Sequence, residues 1–564
     1  MIKKEIFKFL FFYLIIKLIL VIFNLLKVYD KNPKIDYIPY QVNKEYDYLI
    51  AGASPAALIF VERKMLLEPN STFCIIEEGG KIPDYLKFNL TKDNSFNALI
   101  FGFLGFFNTN NISFFELEDK ADTGYKNGVL KGSGLGGGAN LNASVYFKPS
   151  IDDCIRMLNL NNDEAEKYLV EMNELEKEYN YRTYPFNDIE LAIKEYMEIK
   201  GYEFIKTNQI TEKYKKDSKY MSSSMSGIRN DGVKNSPFDM LVNNKHFDIS
   251  RLQIILHCRI DKVIFNDKKA KGFKCFDKQK NNIDIYGKKI ILSTGTISSP
   301  CILQRSGIGS KNIIETLNIN KIHENDQVGE NFKDRPGIRL GYNLSNKSKY
   351  DTPSIFRSSF SNLYIYNNNI EICPEWAWDS IWLHRLFLTG SIFEGFKIFF
   401  KGLSKTKFKN MKYYLKTCNH FEFIIKPLYS DFVGKVYIKS TDPNSPPIVE
   451  FTPDIKSNKL LYDSIKESID NIEQIINNID FFKNAIPCFD KNKLIENIND
   501  EILPDWHFIG TCSIGKVVKK EDFSVIGVEN LYILDCSICK DISEKNTQGM
   551  AHLIGLIGSK IINF

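Results

Sequence analysis

The fold is decided by Tyr46-Asp-Tyr-Leu-Ile-Ala-Gly-Ala-Ser-Pro-Ala-Ala57, which indicates a buried strand, a turn of small residues and the start of a helix. A second strand, Ser71-Thr-Phe-Cys-Ile-Ile-Glu77, follows and ends in an acid. This layout, with the acid about 20 residues beyond the turn, is typical of a dinucleotide-binding fold, in which the acid accepts a hydrogen bond from a ribose hydroxyl. The sequence therefore predicts an α/β chain with a Rossmann-like domain, and Glu77 as its ribose-binding acid.

The glycine fingerprint of this turn is incomplete. Gly52 is present, Ser54 stands where the second glycine is usual, and Ala57 fills the third position, which allows alanine. Ser54 adds a Cβ where backbone normally approaches a pyrophosphate. We therefore expect either weaker cofactor binding or a reshaped turn.

A second turn of small residues lies in Gly295-Thr-Ile-Ser-Ser-Pro-Cys-Ile-Leu-Gln-Arg-Ser-Gly-Ile-Gly309, directly after another apolar strand. Gly295 would let the backbone approach a ligand, while Ser298 or Ser299 would cap a helix with Pro300 in its first turn. A phosphate or a flat cofactor could bind at such a helix N-terminus. The alternative is an ordinary connection between a strand and a helix.

A glycine-rich loop occupies Lys131-Gly-Ser-Gly-Leu-Gly-Gly-Gly-Ala-Asn-Leu-Asn142, with five glycines in twelve residues. Its backbone N–H groups could surround an anionic or planar group. A flexible linker is the alternative interpretation. Apolar residues on both sides of the loop favour a buried cofactor loop instead.

Residues near the C-terminus complete a family pattern: Asp505-Trp-His507-Phe-Ile-Gly-Thr511, then Leu534-Asp535-Cys-Ser537, then Asn546-Thr547. With these residues the chain resembles the glucose-methanol-choline (GMC) flavoprotein oxidoreductases from about Lys44 to Phe564. The stretch 295–309 fits the second signature of that family, and the loop 131–149 fits the first less completely. Val328-Gly-Glu-Asn-Phe-Lys-Asp-Arg335 is similar to the VGxNLxDH element, with Arg335 where histidine is common.

The resemblance implies FAD as cofactor and oxidation of a small-molecule alcohol by hydride transfer to the flavin. His507 falls at the position of the catalytic base, for which histidine suits neutral pH. Asn546 falls at the second catalytic position, where either His or Asn occurs, and it would orient the substrate oxygen. The positions that the resemblance assigns to FAD binding are Gly52, Ala53, Ser54, Glu77, Gly136, Gly137, Asn142, Ile260, Gly295, Asp535 and Ser537.

The mode of FAD attachment follows from one position of the first signature. In family members with covalent flavin, the linking histidine immediately precedes the asparagine of that signature, and here this residue is Leu141. The resemblance therefore implies non-covalent FAD. The electron acceptor, which could be oxygen, a quinone or another carrier, stays open.

The cofactor segments fall at the start, middle and end of the sequence, so we expect a discontinuous FAD-binding domain. The predicted boundaries are 44–150, 245–335 and 500–564 for that domain, and 151–244 and 336–499 for a substrate-binding domain. Helical periodicity dominates 163–200, whereas 421–451 indicates strands, with Gly434 and Pro443 in the turns. The resemblance implies an antiparallel sheet backed by helices in the second domain, and hence an α+β organisation overall. The cluster of Trp376, Trp378 and Trp382 is interpreted as part of the core, with a platform for the substrate as the alternative.

Composition agrees with an ordinary globular protein of two domains. The chain has 564 residues, 43% of them hydrophobic and 25% charged. The net charge of +5 is small for this length, which argues against a nucleic-acid partner. Eleven cysteines form no compact disulfide framework. The pair Cys536 and Cys539 could be a redox motif or half of a zinc site, but no second pair has matching spacing, so no metal site is predicted.

Residues 1–40 differ from the rest of the chain. A basic start precedes an apolar run at 6–26, which Lys8, Lys17 and Asn24 interrupt. This pattern favours a signal peptide or a membrane anchor over a buried helix, and hence the secretory pathway or a membrane-associated location.

Two other functions stay open at this stage. The GMC family also contains lyases that keep the flavin without using its redox chemistry. A non-catalytic relic with weakened FAD binding is the third interpretation, because Ser54, Arg335 and Cys539 all depart from the family pattern near cofactor loops. The persistence of His507 and Asn546 favours an active enzyme.

Overall fold

The structure is a computed structural model that describes residues 45–81, 112–115, 129–140, 142, 145–183, 185–206, 219–227, 229, 234–244, 247–277, 279–343, 362–376 and 420–563. The predicted signal peptide or anchor, Leu141, Trp378 and Trp382 lie outside these residues, and the side chain of Trp376 is not described. Within the described ranges, no helix has both the length and the apolar character needed to cross a membrane.

The strands and helices are numbered in chain order. The strands are β1 (Glu45–Ala51), β2 (Phe73–Ile76), β3 (Ile112–Phe115), β4 (Val129–Gly132), β5 (Tyr181–Arg182), β6 (Glu203–Ile205), β7 (Lys219–Ser223), β8 (Ser226–Gly227), β9 (Leu252–Ile255), β10 (Arg259–Asn266), β11 (Lys269–Phe276), β12 (Asn282–Leu292), β13 (Ile308–Gly309), β14 (His323–Glu324), β15 (Gly337–Asn343), β16 (Leu363–Asn367), β17 (Ile370–Trp376), β18 (His420–Pro427), β19 (Lys435–Tyr437), β20 (Ile448–Glu450), β21 (Ile486–Pro487), β22 (Ile502–Leu503) and β23 (Leu531–Ile533). The α-helices are α1 (Pro55–Leu67), α2 (Ile151–Leu158), α3 (Asn162–Glu178), α4 (Asp188–Ile199), α5 (Pro237–Asn243), α6 (Gly295–Arg305), α7 (Lys311–Thr316), α8 (Lys459–Asn478), α9 (Lys491–Glu496) and α10 (Gln548–Ile561). Short 3-10 helices span Gly137–Asn140, Ile249–Arg251, Asp480–Phe482, Ile498–Glu501 and Cys536–Ile538.

The first sheet has the order β10-β11-β12-β1-β2-β9, and β23 pairs with β12. Strand β1 is parallel to both β2 and β12, and β12 is parallel to β23. In register, Ala51 pairs with Ile76 on one side and with Leu292 on the other. The carboxyl ends of these parallel strands therefore meet at one edge, which is where an open α/β sheet binds its ligand. The predicted Rossmann-like architecture is confirmed.

The second sheet has the order β21-β15-β18-β17-β16-β7-β6, with β22 paired to β15. Its neighbours are antiparallel except β6 and β7. Helix α8 packs on β17 and β18 and buries Ile465, Ile469 and Ile472 completely. The second sheet backed by helices confirms the predicted α+β organisation, and the strands β18 to β20 confirm the pattern read from 421–451.

Helix α1 is buried around nearly its whole circumference because α10 packs against it. The two helices approach closely at Gly555, where a Cβ would lie 2.4 Å from the carbonyl oxygen of Ala56. A residue larger than glycine would push the helices apart. The C-terminal helix is thereby fixed against the helix that begins at the first cofactor turn.

Two parts of the segment 151–244 differ from the simple sequence pattern. The helical stretch predicted over 163–200 is broken between α3 and α4 by β5, and Asn187 starts α4 by accepting hydrogen bonds from two backbone N–H groups. Helices α2 and α3, assigned by prediction to the substrate-binding domain, bury Met157 and Met172 in the core of the first sheet. The domain boundaries themselves stay a prediction.

Candidate active site

A cavity of about 470 Å³ opens at the carboxyl edge of the first sheet and reaches the second sheet. Gly52, Gly295 and Asp535 line it from the first sheet, while Tyr364 and Lys426 line it from the second. Most predicted site residues meet in its wall, namely Gly52, Ala53, Ser54, Glu77, Gly137, Asn142, Ile260, Gly295, His507, Asp535 and Asn546. Gly136 and Ser537 lie behind this wall rather than in it.

The first turn is formed by Gly52 and Ser54 together. Gly52 has a φ of +88°, and a Cβ there would lie 2.4 Å from the carbonyl oxygen of Ser293, so only glycine fits. Ser54 has a φ of −67°, which any residue adopts, and its hydroxyl caps α1 by accepting from the N–H of Ala57 at 3.2 Å. The same hydroxyl lies 2.6 Å from that of Ser293. Serine therefore closes this turn without backbone strain, and its effect on FAD affinity stays a prediction.

Glu77 joins the first turn to the glycine-rich loop. One carboxylate oxygen accepts from the N–H of Ala53 at 2.8 Å, and the other accepts from Gly79 at 2.9 Å and Gly134 at 2.8 Å. Burial raises the pKa of this carboxyl and the neighbouring Glu78 adds to the rise, while the three N–H groups oppose it. Glu77 lines the cavity, and its contact with a ribose stays a prediction.

The glycine-rich loop folds back on the first turn. Gly136 donates its N–H to the carbonyl of Ala53 at 3.0 Å, and a Cβ at Gly136 would lie 2.7 Å from Asn140 Oδ1. Gly136 is therefore required by packing within the loop. At Gly138, by contrast, a Cβ would meet no atom within 4 Å, because this glycine faces the cavity.

Lys234 anchors the end of this loop, and sequence reasoning missed it. Its buried ammonium donates to the carbonyl of Ala139 at 2.6 Å, to the carbonyl of Asn142 at 2.7 Å and to Asn142 Oδ1. These contacts use its three donors, which orients the side chain of Asn142 at the cavity. A single lysine in a polar segment carries no pattern that would have identified it.

The second turn differs from the prediction at its helix cap. Helix α6 starts at Gly295, and neither Ser298 nor Ser299 caps it, since the Ser299 hydroxyl donates to Asp535 Oδ2 at 2.6 Å. Pro300 lies inside the helix and has no N–H to donate to the carbonyl of Thr296. That carbonyl accepts instead from the Thr511 hydroxyl at 2.6 Å. This side-chain bond makes an internal proline compatible with an intact α6.

Gly295 combines a positive φ with open space. Its φ is +85°, a Cβ there would meet nothing within 4 Å, and its N–H donates to Asp535 Oδ2 at 2.9 Å. Thr294, at the N-cap of α6, makes no side-chain cap. The cavity is therefore bordered by a helix N-terminus without a side-chain cap and by a space that a Cβ would fill, and both features fit the phosphates and flat ring of FAD.

Asp535, Ser537 and Ile260 complete the predicted cofactor set. Asp535 is buried and accepts from the N–H of Ser537 at 2.8 Å as well as from α6. Ser537 is fully buried and does not line the cavity. Its N–H holds the Asp535 carboxylate, which does. Ile260 lies near the start of β10 and lines the cavity, as does its neighbour Arg259.

His507 lies in the cavity wall and forms a pair with Asp505. Its Nδ1 is 2.6 Å from Asp505 Oδ2. Burial opposes ionisation of Asp505, but His507, Lys426 and Arg335 together hold the pKa of that carboxyl well below its ordinary value. Asp505 is thus a carboxylate that accepts from Nδ1, which leaves the lone pair of Nε2 for an incoming proton.

Asp334 fixes the backbone that carries this pair. Its two carboxylate oxygens accept from the N–H groups of Asp505 at 3.0 Å, Trp506 at 3.2 Å and His507 at 3.0 Å. Burial and the nearby Asp505 carboxylate raise the pKa of Asp334 to about 6. Sequence reasoning assigned no role to Asp334 or Asp505, although both stand in segments that resemble the family.

Arg335, which departs from the family pattern, is fully buried and bonded. Its guanidinium donates to Asp505 Oδ2 at 3.0 Å and to the carbonyl of Glu544 at 2.7 Å, and it lies 3.7 Å from Glu371. Lys426 pairs with the other oxygen of Asp505 at 2.7 Å. Arg335, although unusual for the family, is therefore part of an ion-pair network around the carboxylate of Asp505, the partner of His507.

Asn546 faces the same cavity. Its amide nitrogen donates to the carbonyl of Val145, whereas its Oδ1 is buried and has no hydrogen-bond partner in the described part of the chain. An unpaired buried acceptor costs about 1–3 kcal/mol, which a ligand donor would recover. Asn546 is therefore placed to accept a hydrogen bond from a substrate.

The cysteines give no sign of metal or disulfide chemistry in the described residues. The ten cysteines described there form no disulfide with one another, and no group of three or more His, Cys, Asp or Glu side chains in those ranges is arranged to hold a metal ion. Cys536 borders the cavity, whereas Cys539 is fully buried.

Comparison with known proteins identifies the family. The GMC oxidoreductase N-terminal model matches residues 47–337, and the C-terminal model matches 430–555. An oxygen-dependent choline dehydrogenase of Cronobacter sakazakii is 26% identical over 331 residues, which cover 54% of this chain and 56% of that relative. The protein of the same name from Klebsiella pneumoniae is 23% identical over 560 residues, covering 91% of this chain and 94% of the relative.

A solved structure supports the same fold. The crystal structure of pyridoxine 4-oxidase from Mesorbium loti superposes with a TM-score of 0.71 at 13% identity, covering 92% of this chain and 99% of that protein. At this identity the likeness concerns the fold alone. Together with the two family models, which match most of the chain, it gives one conclusion. The chain belongs to the GMC oxidoreductase family.

Proposed function

We propose that this protein oxidises an alcohol to an aldehyde or ketone with FAD as the hydride acceptor, and that His507 is the general base. The observation that carries the proposal is the pair formed by the Asp505 carboxylate and His507, facing a cavity into which Asn546 presents an unpaired oxygen. The family membership and the relatives named choline dehydrogenase support the same reaction class.

The proton of the substrate hydroxyl passes to His507. Asp505 accepts from Nδ1 and so selects the tautomer with a free lone pair on Nε2, which removes the proton. The second N–H of the Asn546 amide donates to the substrate oxygen and so orients the carbon that loses hydride, while Oδ1 accepts from any further donor of the substrate. Asp334 keeps the backbone of His507 in place through its bonds to three N–H groups.

FAD, when bound, supplies the hydride acceptor for this chemistry. The residues that would hold it are the two turns at Gly52 and Gly295, the loop at Gly137 and Gly138, and Asp535. Their backbone N–H groups and open space fit a dinucleotide. We propose that the attachment is non-covalent, as Leu141 implies. Yellow colour that stays with acid-precipitated protein would contradict this.

The lyase and relic alternatives make different predictions from oxidation. The relic interpretation depends on Ser54, Arg335 and Cys539, but Ser54 caps a helix, Arg335 is bonded to Asp505, and Cys539 is packed in the core. Each of the three therefore has a structural role, which supports the proposal of an active enzyme. A lyase would release a carbonyl compound without changing the flavin absorbance.

The test is anaerobic addition of primary and secondary alcohols to the FAD-loaded protein, followed by flavin absorbance. We expect oxidised flavin bands that bleach with at least one alcohol, and loss of bleaching by about a hundredfold or more in His507→Asn. His323→Asn, which changes a histidine outside the cavity, is the matched control. Admission of oxygen or of a quinone then identifies the acceptor. If alcohol bleaches the flavin equally fast in wild type and in FAD-loaded His507→Asn, the role of His507 is contradicted.

A further inference from the structure

Lys545, the residue before Asn546, lies in a cage of aromatic rings. Its Nζ is 3.5 Å from the centroid of the Tyr366 ring, 5.5 Å from that of Phe147 and 5.8 Å from that of Tyr220. The side chain is buried, and Nζ has no hydrogen-bond partner in the described part of the chain. The ammonium is thus held by π faces, as quaternary ammonium ligands are in aromatic cages.

The ammonium of Lys545 stays largely charged at neutral pH. Burial lowers the pKa of Lys545 to about 8, while the carboxylates of Glu371 and Glu544 limit the fall. Tyr366 donates to Glu371 at 3.1 Å, so an acid stands behind the cage. Three rings and an acid are the elements that would recognise a cationic ligand.

The cage adjoins the cavity. Phe147 of the cage and Glu371 behind it both line the cavity. Tyr364, which lines the cavity as well, packs edge-on against Phe147 with ring centroids 4.9 Å apart. The charge of Lys545 therefore stands one side chain behind the wall that faces the substrate.

The rest of this wall also disfavours a cationic ligand. Arg335, Arg339 and Lys426 line it. Two of the carboxylates beside these cations are already engaged, since Asp505 pairs with Lys426 at 2.7 Å and Glu371 lies 3.7 Å from Arg335. A substrate cation would meet like charges and would have to displace existing ion pairs.

We infer that Lys545 fills the cation-binding cage of this site with an internal ammonium and so restricts the substrate to alcohols without a positive charge. The inference rests on the proposed function, because it concerns the alcohol that the same cavity binds. The relatives from Cronobacter sakazakii and Klebsiella pneumoniae are named choline dehydrogenases, but the inference excludes choline as the substrate of this chain.

The test compares choline with 3,3-dimethylbutan-1-ol, which has the same shape but carbon in place of the charged nitrogen. Binding to the FAD-loaded protein is read from the shift in melting temperature and from the flavin absorbance, separately from turnover. We expect wild type to bind the neutral alcohol at least about tenfold more tightly than choline, since the cage is occupied. Equal or tighter binding of choline would overturn the inference.

Variants of Lys545 test whether its charge causes the preference for the neutral alcohol over choline. Lys545→Met keeps the length and apolar packing but removes the charge, and it should narrow the preference for the neutral alcohol by about tenfold. Lys545→Arg keeps the charge and should retain the preference. If Lys545→Met folds and leaves the preference unchanged, the inference is wrong. If it does not fold, the comparison in wild type decides.

The two proposals fail separately. A protein that prefers to bind the neutral alcohol but transfers no hydride from any alcohol would contradict the proposed function and support the role of Lys545. A protein that oxidises choline more efficiently than its neutral isostere would contradict the role of Lys545 and support alcohol oxidation.

Discussion

Asp505 Oδ2 lies 2.6 Å from His507 Nδ1, and the same carboxylate is held by Lys426 at 2.7 Å and by Arg335 at 3.0 Å. The carboxylate is therefore fixed in charge and in position before any substrate arrives. A histidine held in this way has one available tautomer, which is the tautomer that a general base requires.

Replacing Asp505 with asparagine should slow flavin reduction by about a hundredfold or more, because the amide no longer stabilises the protonated imidazole. The rate is measured by stopped-flow absorbance over a range of pH. Asp470→Asn, which changes an exposed carboxylate paired with Lys491, is the control. Because loss of a buried ion-pair partner also destabilises a fold, FAD content and melting temperature are measured in parallel. A folded, FAD-loaded Asp505→Asn protein with the wild-type rate and pH profile would contradict the role of Asp505.

Gly295→Ala should weaken FAD binding by about tenfold or more while costing only about 1–2 kcal/mol of stability, the strain of a positive φ. The Cβ would enter open space at the cavity, where it meets no protein atom within 4 Å. Gly515→Ala is a matched control, since Gly515 has a φ of +80° and equal space but does not line the cavity. FAD affinity is measured by fluorescence titration. Equal affinities for the two variants would show that the cofactor does not pass Gly295.

Ser54→Ala should lower the free energy of unfolding by about 1 kcal/mol because α1 loses its N-cap, whereas Ser54→Gly should cost less. Neither should abolish FAD binding, since the turn is closed by backbone bonds and by Gly52. Ser150→Ala removes the cap of α2, away from the cavity, and provides the comparison. Denaturant unfolding and FAD titration give the two quantities. A gain in FAD affinity confined to Ser54→Gly would show that the Cβ of Ser54 hinders the pyrophosphate.

Stability should fall as the pH drops below 6.5, partly because of His552. This side chain is fully buried on α10 without hydrogen-bond partners for its ring nitrogens in the described residues, and burial lowers its pKa from 6.5 to about 3. Between these values the unfolded chain binds a proton that the folded chain does not, so stability present above pH 6.5 is lost towards pH 3, by up to about 1.4 kcal/mol per pH unit.

His552→Phe should remove this contribution and give a shallower dependence on pH over the same interval, since phenylalanine suits the neighbouring rings of Tyr146 and Tyr181. The difference in unfolding free energy between wild type and variant is measured from pH 7 to pH 4. A difference that does not change with pH would mean that the pKa of His552 is the same in the folded and unfolded protein, and would contradict the predicted shift.

The first sheet and most of the cavity were predictable from sequence because their signals are local. A strand followed by a small-residue turn, as at Gly52 and Gly295, marks its own position, and an acid such as Glu77 marks the end of the next strand. The resemblance to the family then located His507 and Asn546 without any knowledge of their contacts.

The residues missed by sequence reasoning act over long separations in the chain. Lys234 bonds a loop about ninety residues earlier, and Asp334 holds the backbone of His507, 173 residues later. No periodicity or spacing relates such positions, because only the folded backbone brings them together. The helix cap of α6 was misplaced for a similar reason: Asp535 draws Ser299 away, and Thr511 satisfies the carbonyl that Pro300 leaves free.

The packing of α10 on α1 and of β23 on β12 has a consequence for biosynthesis. The ribosome makes β1 and its turn hundreds of residues before it makes β23 and α10, yet the close contact of Gly555 with Ala56 joins these parts. Until β23 and α10 are made, α1 is not covered by α10, and Asp535 is absent from the carboxyl edge of the first sheet. We therefore expect the nascent chain to depend on chaperones and to load its cofactor only after β23 and α10 have been synthesised.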